Sequence, residues 1–229
     1  MKKEKFLNTY ISNITFDEAI SNIEKLIAKK EKSYIVAINV DVVMKIEEDS
    51  YLKEITDNAD MVFTDGKPLL WIAKLKKKPI KEKISGSDIV PKLCEISNEK
   101  GYSIYILGGK EGIAEQAKLK LEEQYPNINI VGTYCPPFGF EKDEKELKKI
   151  NKAISDVKPD LLFACLGCPK QEKWIYENIN KYDAKVSICA GATVDFLAGN
   201  VKRAPKWISN LGFEWFYRFL QEPKRLDLT

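Results

Sequence analysis

Ala59-Asp60-Met61-Val62-Phe63-Thr64-Asp65-Gly66 opens on a short apolar run and closes on a carboxylate and a glycine. A run of this length, bounded by turn residues, predicts a buried strand that delivers Asp65 to its C-terminal end. In open α/β sheets that edge is where ligands bind. Further on, Lys83-Ile84-Ser85-Gly86-Ser87-Asp88 precedes an apolar-periodic helix predicted from Ile89 to Lys100, so a cap and free backbone N–H groups are expected at the same crevice. Two readings of Asp65 stay open at this point: a working carboxylate, or an ordinary Asp-Gly turn after a strand.

Working outward, Thr15-x-x-Glu18 is a capping-box pattern that opens a helix to about Lys30, with Phe16, Ile20, Ile23 and Ile27 on one face. Before it, Phe6 to Ile14 alternates weakly, as an edge strand would. Tyr34 to Val40 predicts a strand that places Asn39 beside Asp65, either as a pocket amide or as the cap of the next helix. Two short helices follow, Val42 to Glu48 and Tyr51 to Asn58, and Pro68 suits the first turn of another. Beyond Lys100 one grammar recurs. Strands at Ser103–Leu107, Ile128–Tyr134, Asp160–Leu166 and Val186–Ala190 alternate with helices, which means βαβ units. The expected fold is α/β, a mainly parallel, doubly wound (Rossmann-like) sheet over residues 1–200, with a C-terminal helical appendage over 201–229.

Composition narrows the function. The chain has 229 residues, 44% of them hydrophobic, enough for a sizeable core, and no run reaches the ~18 apolar residues that span a bilayer. Its start, Met-Lys-Lys-Glu-Lys, leads into no signal-like apolar segment, so a cytoplasmic location is expected. Five scattered cysteines make no disulfide framework, and Cys165-x-x-Cys168 without a second pair or any histidine is a poor zinc site. The absence of histidine removes Ser-His, Cys-His and His-metal mechanisms; acid–base work falls to Asp, Glu, Lys, Tyr or Cys. The net charge of +3 comes from the tail, where residues 202–229 carry six basic and three acidic side chains. The chain's three arginines, Arg203, Arg218 and Arg225, all lie there, as planar donors for phosphate would. Trp207, Ile208, Leu211, Phe213, Trp215, Phe216, Phe219 and Leu220 surround them, in the pattern of a subunit contact or an interfacial membrane helix.

Gly108-Gly109-x-x-Gly112 lies between a strand and a helix, where bare backbone lets a diphosphate approach or merely closes a tight turn. It matches neither the dinucleotide fingerprint nor a P-loop, which counts against a nicotinamide enzyme or an ATPase. Gly167-Cys168-Pro169-Lys170-Gln171-Glu172 is more informative, since a helix start needs neither Lys nor Gln; both are expected to project at the strand-end crevice. With Asp65-Gly66, Gly86-x-Asp88, Leu107-Gly-Gly-Lys110, Ala190-Gly-Ala-Thr-Val-Asp195, Val201-Lys-Arg-Ala-Pro205 and Leu211-Gly-Phe-Glu-Trp-Phe-Tyr-Arg218, the chain resembles the WecG/TagA/CpsF glycosyltransferases from about Asn39 to Arg225, and within them the TagA type.

That resemblance implies transfer of N-acetylmannosamine from its UDP-sugar to undecaprenyl-diphosphate-linked N-acetylglucosamine, at the start of wall teichoic acid assembly. A related UDP-hexose transfer, or non-catalytic UDP-sugar binding, is the alternative. It also implies roles: Asp65 as catalytic base with Asn39 beside it, Gly108, Gly109, Lys170 and Gln171 at the nucleotide-sugar site, and Arg218 and Arg225 reaching the diphosphate. Lys83, Gly86, Asp88 and Arg203 complete the expected substrate-binding set. Two positions depart from the family pattern, Ala37 where Thr is usual and Lys83 where Arg is usual. No Asp-x-Asp metal motif occurs, so no metal or other cofactor is expected. The tail is expected to dock peripherally on the inner face of the cytoplasmic membrane and complete the site over Asp65, or to drive self-association; no nucleic-acid partner is expected.

Overall fold

Thr15 and Glu18 exchange both hydrogen bonds of the expected capping box, Glu18 N–H to Thr15 Oγ1 at 3.2 Å and Thr15 N–H to Glu18 Oε2 at 2.7 Å. They start helix α1 (Phe16–Ile27), whose Ala19, Ile23, Leu26 and Ile27 are buried. The computed structural model describes residues 3–201 together with 204, 205 and 217. The predicted appendage therefore lies, apart from residues 201, 204, 205 and 217, outside the described residues, as do Arg203, Arg218 and Arg225.

Six parallel strands form the central sheet: β3 (Ser33–Ile38), β4 (Met61–Thr64), β5 (Ser103–Gly108), β6 (Asn129–Tyr134), β7 (Leu161–Cys165) and β8 (Val186–Cys189), in the order β4-β3-β8-β7-β5-β6. Their apolar residues alternate between two cores, as a pleat covered on both faces requires. On β5, Ile104 and Ile106 face one core, with Tyr105 and Leu107 facing the other. Helices α2 (Val40–Glu48), α3 (Ser50–Asn58), α4 (Lys67–Leu75), α7 (Glu144–Val157) and α8 (Lys170–Asn178) cover one face. Helices α1, α5 (Gly86–Lys100), α6 (Ile113–Gln124) and α9 (Thr193–Leu197) cover the other. The expected doubly wound α/β fold is present. Chains leaving β3 and β7 turn toward one face while those leaving β5 and β8 turn toward the other, so crevices open between them at the C-terminal edge.

Three local expectations change. The weakly alternating N-terminal segment is not an edge strand of the main sheet but an antiparallel ribbon, β1 (Glu4–Phe6) with β2 (Thr9–Ile11). It turns at Leu7, whose φ of +51° reverses the chain before a long strand can form. Strand β3 stops at Ile38, because Asn39 is already capping α2. Helix α5 begins at Gly86 rather than Ile89, and Ser85 at its N-cap position does not cap, its hydroxyl being committed to Asp88 at 2.6 Å.

Candidate active site

Asp65 is the first residue beyond β4. Its N–H donates to Ile38 O at 2.7 Å, and Ile38 pairs with Thr64, so Asn39 and Asp65 leave neighbouring strands at one level on the C-terminal edge. Asp65 is half-buried there, and Gly66, with φ of +97°, turns the chain sharply into α4. Asn39 is exposed at the rim, and its Oδ1 accepts the Val42 N–H at 3.0 Å. The capping reading of Asn39 thus holds, on the same rim as the pocket reading.

A third segment lies against this corner. Ile84 N–H donates to Thr64 O at 2.9 Å and Thr64 Oγ1 to Glu82 O at 3.4 Å, which lays residues 82–85 along the end of β4. Lys83 Nζ then sits 2.6 Å from Asp88 Oδ2, the oxygen that also accepts the Ser85 hydroxyl. Both charged side chains are largely covered, 18% and 26% exposed, so the pair is worth more than a solvated one and fixes the ammonium at the start of α5. Gly86 belongs here for packing: a Cβ on it would meet Ala190 O at 3.2 Å and Thr193 Oγ1 at 3.3 Å, where α5 closes on the turn after β8.

The other end of the rim is made differently. Gly108 has φ of +111°, and a Cβ there would stand 2.4 Å from Cys165 O, so only glycine fits between β5 and β7. Gly109, φ +84°, donates its N–H to that same Cys165 O at 3.0 Å. The motif does close a tight turn, which leads through Gly112 to the N-terminus of α6. Four strand spacings separate β4 from β5, so Asp65 and the Gly108–Gly109 turn stand about 19 Å apart along the edge.

Lys170 and Gln171 part company. Lys170 reaches the rim, where Glu141 Oε2 lies 3.4 Å from its Nζ and the Phe138 and Phe140 rings flank it at 5.0 and 5.8 Å. Gln171, expected to project into the crevice, is instead 5% exposed with its amide engaged at both ends. Its Nε2 donates to Glu172 Oε1 at 2.8 Å, and its Oε1 accepts the Gly191 N–H at 3.1 Å. It ties the start of α8 to the turn after β8, and so shapes the rim from beneath. Glu172 is fully buried and its Oε2 has no hydrogen-bond partner in the described structure. Burial raises its pKa, outweighing the favourable contacts from Gln171, its own backbone N–H, and the thiols of Cys168 and Cys189. The same burial holds Cys189 well above the ordinary thiol value and pushes Cys165 up to about 12; both are core thiols, while Cys168, the other member of the C-x-x-C pair, is half-buried.

Sequence reasoning does not find Glu141 or Phe138. Its only signal there is Pro136-Pro137 with Gly139, which marks a loop and says nothing of where the loop goes. Among the described residues no cluster of three or more metal-ligating side chains occurs, and no helix is long and apolar enough to cross a membrane. A cleft of about 530 Å³ lies by the N-terminal ribbon, between Lys3, Phe6, Ile11 and Pro79, and includes none of the predicted site residues.

A parallel sheet with a carboxylate, lysine side chains and glycine turns on its C-terminal edge makes this an α/β domain of the doubly wound class, in which ligands bind across the strand ends. The sequence profile of the Glycosyl transferase WecG/TagA/CpsF family matches residues 4–227, and the chain belongs to that family. It is 30% identical over 226 residues to an N-acetylglucosaminyldiphosphoundecaprenol N-acetyl-beta-D-mannosaminyltransferase of Bacillus subtilis (strain 168), covering 98% of this chain and 86% of the relative. A protein of the same name from Staphylococcus aureus (strain MRSA252) is 28% identical, with 98% and 87% covered.

Proposed function

We propose that this protein transfers N-acetylmannosamine from UDP-N-acetylmannosamine to the 4-hydroxyl of N-acetylglucosamine carried on diphospho-undecaprenol. The observation that carries the reading is the corner at β3 and β4, where Asp65, Asn39 and the Lys83–Asp88 pair stand together in a chain of this family. Asp65 takes the proton of the acceptor hydroxyl as its oxygen attacks the anomeric carbon. UDP departs from the opposite face, so the product is inverted at that carbon. The charge growing on the departing diphosphate is met by Lys170, by Lys83, and by Arg203, Arg218 and Arg225 of the tail. These cations serve in place of a metal ion, and turnover in EDTA is expected to be complete.

The donor lies along the rim, sugar at the β3–β4 corner and nucleotide toward β7 and β5, a course that matches the roughly 19 Å between Asp65 and the glycine turn. The basic, aromatic tail brings the enzyme to the anionic inner face of the cytoplasmic membrane, where the acceptor's polyprenyl chain is anchored. In water the same apolar groups favour self-association. The test is incubation of the full chain with UDP-N-acetylmannosamine and a short-chain lipid-linked acceptor, with and without EDTA, followed by mass analysis. One added N-acetylhexosamine in both arms supports the reading. A strict requirement for a divalent ion removes the metal-free step. Transfer only from another donor, such as the uronic acid run in parallel, reassigns the sugar.

A further inference from the structure

The loop from β6 to α7, residues 135–142, has no part in the reaction as described above, yet it crosses the rim. β6 lies at the sheet edge and β7 two places in, with β5 between them. The loop leaves β6 at Tyr134 and reaches Lys170, at the start of α8 just beyond β7, so it passes over the end of β5. There the Cys135 thiol donates to the Gly109 carbonyl at 3.0 Å, fastening the loop to the glycine turn. Phe140 is its anchor, 3% exposed, whereas Phe138, two residues earlier, is 98% exposed. Pro136 and Pro137 restrict the backbone on one side of that ring and Gly139, φ +81°, turns it on the other, so the chain that carries the ring is restrained before any ligand arrives.

We propose that Phe138 is the nucleobase platform of the donor site, its ring stacking on the pyrimidine of the bound nucleoside diphosphate. The inference rests on the transferase reading, because that reading orients the ligand. With the sugar held at Asp65 and the diphosphate along the middle of the rim, the base falls at the β5–β6 end, where this loop stands. A flat ring exposed beside a lysine suits a base above it and a phosphate next to it. The competing use of an exposed aromatic, insertion into lipid, gains nothing from charge: Glu141, Asp143, Glu144 and Glu146 are matched by Lys142, Lys145, Lys148 and Lys149, so this segment has no net charge to draw the ring to an anionic leaflet.

The experiment is calorimetric titration of uridine diphosphate into the full chain and into its Phe138→Ala and Phe138→Trp variants, alongside donor kinetics and sedimentation with phosphatidylglycerol vesicles. A ring so exposed supports little of the fold, and Phe138→Ala is expected to fold normally. It should bind uridine diphosphate about tenfold more weakly and raise the donor KM by the same factor with kcat almost unchanged, and Phe138→Trp should restore both. Unchanged nucleotide binding in Phe138→Ala overturns the platform while leaving the transferase reading intact. Loss of vesicle binding with nucleotide binding intact overturns it in favour of a lipid contact. A wild-type chain that neither binds uridine diphosphate nor transfers sugar overturns both readings together.

Discussion

The two ends of the strand-end rim are assembled on different principles. At β3 and β4 the groups that matter are side chains, Asp65 and Asn39 on the rim and the partly covered Lys83–Asp88 pair, positioned by the backbone bonds from Asp65 N–H to Ile38 O and from Ile84 N–H to Thr64 O. At β5, β7 and β8 the shape comes from the backbone, with Gly108 against Cys165 and Gln171 holding Gly191 from below. A surface side chain can be exchanged with the scaffold left standing; a glycine wedged between strands cannot. Substitutions at the first end should therefore change chemistry, and those at the second should change the fold.

The largest effect is expected at Asp65. Asp65→Asn keeps the shape and removes the base, so turnover should fall about 10²- to 10⁴-fold while uridine diphosphate binding and thermal midpoint stay near wild type. Turnover within a few fold of wild type would take the base away from this residue. Gly108→Ala should do the reverse. The new Cβ lies 2.4 Å from Cys165 O at a φ of +111°, a clash with backbone that costs about 3 kcal/mol and lowers the melting temperature by roughly 6–12 °C. Gly86→Ala, whose Cβ meets its neighbours at 3.2 and 3.3 Å, should cost about 1 kcal/mol or less, which makes it the control for glycine replacement as such.

How much of this could be read in advance depends on whether a residue's surroundings are local in sequence. Met61 to Gly66 carries its own instructions, an apolar run and then a turn, and Asp65 does emerge at the C-terminal edge. The Thr15–Glu18 box and the glycine turn after β5 were legible for the same reason. Gln171 was not, because its burial depends on Gly191 arriving from β8, twenty positions later. Nor was the Lys170–Glu141 contact, which requires knowing that β5 is inserted between β6 and β7. Strand order is a property of the whole chain, and pattern within a segment does not encode it.

Glu172 offers a finer test of the buried end. With its pKa raised by burial, the folded protein keeps the proton on this carboxyl after the unfolded chain, near the ordinary value of 4.5, has lost it. Below that value both states are protonated and nothing is lost; as pH rises above it the unfolded state gains by ionising, and stability declines until the raised folded pKa is reached. Glu172→Gln removes the ionisation and keeps an acceptor for Gln171. Its stability in urea should therefore fall less steeply with rising pH than wild type, the slopes differing by at most about 1.4 kcal/mol per pH unit. Parallel slopes from pH 5 to 8 would mean that Glu172 ionises in the folded protein much as it does in the unfolded chain.

The test that most sharply separates charge from geometry at the chemical end is a pair of substitutions at Lys83, the conservative one being expected to have only a small effect. Its ammonium is held 2.6 Å from Asp88 and can meet an anion as a point charge, whereas a guanidinium offers a planar fork to carboxylate and phosphate at once. Lys83→Arg keeps the charge and adds the fork, so it should lower the KM for the anionic substrate a few fold and leave kcat nearly constant. Lys83→Met removes the charge and leaves Asp88 beside the approaching phosphates, so KM should rise about tenfold or more with the fold retained. If arginine and methionine shift KM in the same direction, Lys83 acts only through its grip on Asp88 and the start of α5. The corner would then owe its diphosphate affinity to cations from elsewhere in the chain.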